Sequence, residues 1–80
     1  MYKAGAYFVE CVPEQKAYGW HCILHFSRIN DYQHSGEIPR TSLVSPIIAG
    51  SSLAVEYESV RWAREYVEKH RDELELALSR

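Results

Sequence analysis

Residues 18–28, YGWHCILHFSR, alternate so regularly that they leave the chain few ways to fold. Successive side chains of a β-strand point to opposite faces. Tyr18, Trp20, Cys22, Leu24 and Phe26 therefore share one side of the strand, and His21, Ile23, His25 and Ser27 share the other. The first set is almost wholly apolar and has to be covered. In a chain of 80 residues there is material for one covering layer only.

The C-terminal third supplies that layer. On a 100° wheel Val60, Ala63, Val67, His70, Leu74, Ala77 and Leu78 fall in one arc, with Trp62 and Tyr66 at its edge. Arg61, Arg64, Glu65, Glu68, Asp72 and Glu75 occupy the opposite side. Ser59 and Ser52 are both candidate N-caps. A helix from Ser52 to Leu78 would be about 40 Å long, too long for a domain this small. The segment LAVEY (53–57) also alternates like a strand. The helix is therefore expected to start at Ser59, with residues 51–57 as a short final strand or an extended lead-in.

Residues 6–12, AYFVECV, read as a first strand, rich in β-branched and aromatic side chains. PEQKAYG (13–19) reads as a turn, because Pro13 cannot continue a central ladder and Gly19 is permissive. NDYQHSGEIP reads as a loop, and RTSLVS (40–45) as a third strand stopped by Pro46. The expected fold is α+β over residues 1–80 as a single domain. It is a small antiparallel sheet of three strands, or four if 51–57 joins, packed on one C-terminal helix. A hairpin centred near Lys16 would set Cys11 beside Cys22, Val9 beside Leu24 and Tyr7 beside Phe26. On the outer face it would set Phe8 beside His25 and Val12 beside His21.

This arrangement argues against the chemistry that the cluster GWHCILHF advertises. Cys22-x-x-His25 is half a zinc site in one dimension, but on a strand the odd spacing sends thiol and imidazole to opposite faces. The remaining candidates, Cys11, His34 and His70, lack paired ligand spacings, so no metal and no cofactor is expected. A buried Cys22 turned away from both histidines is a poor nucleophile. The serines, including Ser35, sit in no nucleophile elbow, and the four glycines form no phosphate loop. The chain is not expected to be an enzyme.

Net charge is −2, and the excess acid lies in residues 56–80, with seven acids against five bases. That balance is unlike a nucleic-acid footprint, so no direct nucleic-acid partner is expected. No apolar run is long enough to span a membrane, and MYKAGAYFVE lacks the pattern of an export signal. The expectation is a cytoplasmic protein with both cysteines as thiols, although a strained cross-strand disulfide would be possible under oxidation. What remains is surface. An outer sheet face of Phe8, Glu10, Val12, His21, Ile23 and His25 mixes apolar and titratable groups as an interface does. The acids Glu65, Glu68, Asp72 and Glu75 form a ridge suited to a basic protein surface. The expected function is a small protein-binding inhibitor or regulator; the alternative is a homodimer closed by the outer sheet face.

The pattern Tyr57-x-Ser59-x-x-x-Ala63-x-x-x-Val67 resembles the strand exit and helix of many small bacterial and phage β-β-β-α proteins. The element order is also similar to the later part of a double-stranded-RNA-binding domain. That family's final helix starts with a lysine-rich run, whereas Ser59-Val60-Arg61-Trp62-Ala63-Arg64-Glu65 stands here and no helix precedes it, so RNA binding is not carried over. In size and acidity the chain resembles phage-encoded inhibitors, anti-CRISPR proteins among them, in general type. That likeness implies action by covering a partner's surface.

Overall fold

The computed structural model describes residues 1–33 and 36–79; His34 and Ser35, named above, lie outside the described residues. The architecture is α+β, a four-stranded antiparallel sheet in the order β1-β2-β3-β4 with two helices on one face. The strands are β1 (Tyr2–Ala4), β2 (Tyr7–Lys16), β3 (Gly19–Arg28) and β4 (Thr41–Val44), and the helices are α1 (Ser52–Lys69) and α2 (Arg71–Leu78). A 3₁₀ turn, Ile29–Gln33, follows β3.

The fourth strand is N-terminal, and residues 52–57 are helical rather than extended. Two local features decide this. Ser51 caps the helix, its hydroxyl accepting from the Ala54 N–H at 3.2 Å. Val55, Ser59, Val60, Ala63 and Val67 are all buried, a helical spacing that a strand at 53–57 would break. Ser59 is therefore no N-cap. It sits fully buried inside α1 and donates to Ser45 Oγ at 2.9 Å, while Ser45 also accepts from the Ile47 N–H at 3.1 Å. The length problem is solved elsewhere: His70 leaves helical geometry (φ −126°, ψ 32°) and ends α1. Asp72 and Glu73 then occupy the first turn of α2, where the helix dipole favours acids.

The β2–β3 hairpin is shifted two residues from the expected register. Cys11 pairs with Leu24, Val9 with Phe26, Glu10 with His25, Val12 with Ile23 and Glu14 with His21. A two-residue slip preserves every face assignment, because side chains alternate with a period of two. Strand β2 runs straight through Pro13 to a tight turn at Ala17–Tyr18. Proline is tolerated there for a definite reason. Cys22, opposite Pro13, directs its carbonyl to β4, accepting from the Ser45 N–H at 2.9 Å. The Pro13–Cys22 pair is thus a non-hydrogen-bonded one, and the missing N–H of Pro13 would have faced a free edge. Gly19 ends the turn at φ +130°, and a Cβ there would lie 2.9 Å from the Ala49 carbonyl oxygen.

The inner face carries the core: Tyr7, Val9, Leu24 and Phe26 pack against Ala63, Val67, Leu74 and Leu78. Cys11 and Cys22 lie on this face on adjacent strands, one diagonal step apart. They are joined by a disulfide with Cα atoms 6.1 Å apart, rather than standing as thiols.

Candidate protein-interaction surfaces

The outer face is where the sequence-derived contact residues collect. Phe8, Glu10, Val12, His21, Ile23 and His25 all lie on the side of the sheet that the helices leave uncovered. Its two ends differ. At one end Tyr32 of the 3₁₀ turn folds over the sheet, stacking edge-on against Phe8 with ring centroids 4.9 Å apart. Its hydroxyl lies 3.0 Å from Ser27 Oγ and 3.8 Å from Met1 Sδ, so Ser27 is buried and Phe8 half-covered. Phe8 is therefore a packed residue more than a free anchor.

In the middle, Val12, Ile23 and Val44 stand in one row across β2, β3 and β4. Val12 is 39% exposed and Val44 58% exposed. Ile23, between them, is half-buried. The row ends at the outer edge of β4. Because Ser45 and Cys22 form a hydrogen-bonded pair, alternation turns the N–H and C=O groups of Ser42 and Val44 away from β3. Strand β4, TSLV, has no charged residue to guard that edge. The opposite edge is guarded: Arg64 Nε donates to the Lys3 carbonyl of β1 at 3.1 Å.

The histidines flank the apolar row, and the observed register sets each opposite a glutamate. His21 Nε2 lies 2.8 Å from Glu14 Oε1, and its Nδ1 lies 3.2 Å from the Tyr18 hydroxyl. The His21 hydrogen bond, helped by Lys16, holds the Glu14 carboxyl below its ordinary value. His25 opposes Glu10 and places Nδ1 2.5 Å from Ser42 Oγ. Both rings lie on the face opposite the cysteines. Among the described residues, no group of three His, Cys, Asp or Glu is arranged to hold a metal ion.

The acidic residues do not form one ridge. The break at His70 puts Glu65 and Glu68 on α1 and Asp72 and Glu75 on α2. Glu75 serves the fold. It accepts from the buried Tyr7 hydroxyl, and both its oxygens accept from Arg28 Nε at 3.1 Å. The Tyr7 hydrogen bond first, and Arg28 second, hold its carboxyl below the ordinary range. Burial and the same carboxylate push the Tyr7 phenol upward. Arg28 also donates to the carbonyls of Glu75 and Leu78, both at 3.3 Å, and to Ser79 Oγ at 3.1 Å, fastening the end of α2 to the end of β3. Glu65, Glu68 and Asp72 are exposed on the helical layer, the other side of the molecule from the Val12–Ile23–Val44 row. A single flat contact cannot use both.

A third surface was not anticipated. Between the N-terminal half of α1 and β1 runs a groove of about 420 Å³. It is lined by Tyr2, Leu53, Glu56, Tyr57, Val60, Arg61 and Arg64. Leu53 and Tyr57 are one helical turn apart, a signal hidden when 51–57 is read as extended. Val44 is not visible from alternation alone, because the sequence of RTSLVS does not give its register against β3. Among the described residues, no helix is long and apolar enough to cross a membrane.

No protein-family model, curated protein or solved structure matches this chain.

Proposed function

We propose that this chain is a protein-binding module that regulates a partner by covering part of its surface, and that the open sheet face is the covering surface. The observation that supports this is the apolar row Val12–Ile23–Val44, flanked by Glu10, Glu14, His21 and His25 and left open on a domain with its helices on the other face. An apolar strip with a polar, titratable rim is the pattern of an interface centre. The face is too flat for a substrate: the small cavity at its end, between His25, Ser27, Tyr32 and Arg40, holds about 10 Å³, far below the roughly 300 Å³ that ligand sites start from.

The test is affinity capture from the native host with two baits, the wild-type chain and the Ile23→Lys/Val44→Lys variant, both checked for folding by circular dichroism. The reading expects a protein retained by the first and lost from the second. Identical retention by both baits removes the sheet face from the account. A second reading has its own observation, the unguarded outward N–H and C=O groups of Ser42 and Val44. Antiparallel pairing of β4 with β4 of a second copy would satisfy them and continue the apolar row. Sedimentation equilibrium separates the two readings, since a strict monomer across the concentration range ends the dimer.

A further inference from the structure

The groove between α1 and β1 has properties that the sheet face lacks. Leu53 is 78% exposed and Tyr57 69% exposed, although both line a concavity together with Tyr2 and the buried Val60. Large apolar side chains that stand so far into water while bordering a groove are poorly used by the monomer. The charge of the rim is opposite to that of the chain. Arg61 and Arg64 border the groove on a molecule of net charge −2. Arg64 is held in place by its Nε bond to the Lys3 carbonyl, which engages one of the five guanidinium donors. Arg61 reaches Glu58 only at 3.9 Å. The one carboxylate lining the groove, Glu56, faces the Tyr2 hydroxyl and raises the pKa of that phenol.

We propose that this groove is a docking site for an acidic amphipathic helix of another protein, one that sets Asp or Glu against Arg61 and Arg64 and a large apolar side chain against Leu53 and Tyr57. Charge complementarity fixes the sign of the occupant, because guanidiniums match carboxylates bidentately and two border the groove, Arg64 held by the Lys3 carbonyl and Arg61 exposed. Shape fixes its size. A small molecule needs most of its surface buried, and walls as exposed as Leu53 and Tyr57 cannot enclose one. The mode follows from the edge: the Lys3 carbonyl of β1 is already taken by Arg64, so side chains and not an added strand make the contact. The proposal rests on the reading that the chain works by binding protein, and it names a partner chemistry for a surface separate from the sheet face.

The experiment is selection of short helical peptides from a random display library on the full chain. The selected peptides are then titrated by fluorescence anisotropy and mapped by NMR shifts. The expected peptides combine Asp or Glu with Leu, Phe or Trp on one helical face and shift Leu53, Tyr57 and Arg61. They should bind about tenfold or more weakly to Tyr57→Ala and to Arg61→Glu, and more weakly as salt rises. Both side chains are exposed, and circular dichroism of each variant checks that it is folded. Peptides without acids, or no enriched peptide, would overturn the proposal. Peptides that shift Val12, Ile23 and Val44 instead would overturn the groove and leave the sheet-face reading standing. Self-association abolished by Tyr57→Ala in sedimentation would also overturn it, by making a second copy the occupant.

Discussion

Ile23 and Leu24 are neighbours in the chain, similar in volume and hydrophobicity, and they belong to different parts of the molecule. Leu24 is fully buried between β2, β4 and the helices, beside the Cys11–Cys22 disulfide. Ile23 sits half-buried on the open face, between Val12 and Val44. The two faces of one sheet thus divide the work. The inner face holds the fold together by burial, cross-linking and the Arg28–Glu75–Tyr7 cluster, whereas the middle of the outer face leaves Val12 and Val44 in solvent. Hydrophobicity alone does not identify a core position; strand phase against the covering layer does.

Breaking the inner face should have the largest effect. Leu24→Ala should destabilise by about 3 kcal/mol in urea unfolding, whereas Ile23→Ala should cost about 1 kcal/mol or less. Equal losses would erase the distinction between the faces. Next comes the cross-link. It closes a loop with a sequence separation of 11, and chain-entropy reasoning assigns it about 2–3 kcal/mol. Reductant should lower the urea midpoint of the wild type by the corresponding amount and leave a Cys11→Ala/Cys22→Ala variant unmoved.

The polar fastening of α2 should matter less, because the Glu75 side chain is 45% exposed. Glu75→Gln should cost about 1 kcal/mol at neutral pH. Its pH dependence has a definite sign. The folded carboxyl is held below its ordinary value of 4.5 by Tyr7 and Arg28. Its contribution is therefore complete above that value and is lost as pH falls through the lower, folded one. Wild-type stability should drop in that acid window, and Glu75→Gln should drop less. Glu14, lowered by His21, contributes in the same direction and keeps the variant's curve from becoming flat. The smallest effect on stability belongs to the outer face: Val44→Lys should change unfolding by no more than about 0.5 kcal/mol, while Ile23→Lys/Val44→Lys loses the captured partner.

Much of this was legible in residues 18–28, because alternation survives any even slip of register. The α+β class, the two faces of β3 and the inward direction of Cys22 all follow from it. The slip itself was not legible. Pro13 reads as a stop until β1 is known to pair no further along β2 than Val9, leaving Pro13 on a free edge. The start of α1 was obscured because LAVEY fits both periods, and only burial of Val55 and Ser59 decides between them. The break at His70 has no proline or glycine to announce it. Among the candidate contact residues, the outer-face set was found by phase. The hold of Tyr7 and Arg28 on Glu75 was not legible, because these partners are 68 and 47 residues away. Tyr57 and Leu53 disappeared with the helical turn that carries them.

A sheet covered on one side only has two faces that differ in access to solvent, and methyl NMR of the isolated chain with a soluble gadolinium chelate reads that difference. The Val12, Ile23 and Val44 methyls should be strongly broadened, with those of Val9, Leu24, Val55 and Val67 protected. Protection of Val12, Ile23 and Val44 to the same degree as Leu24 would contradict one-sided cover.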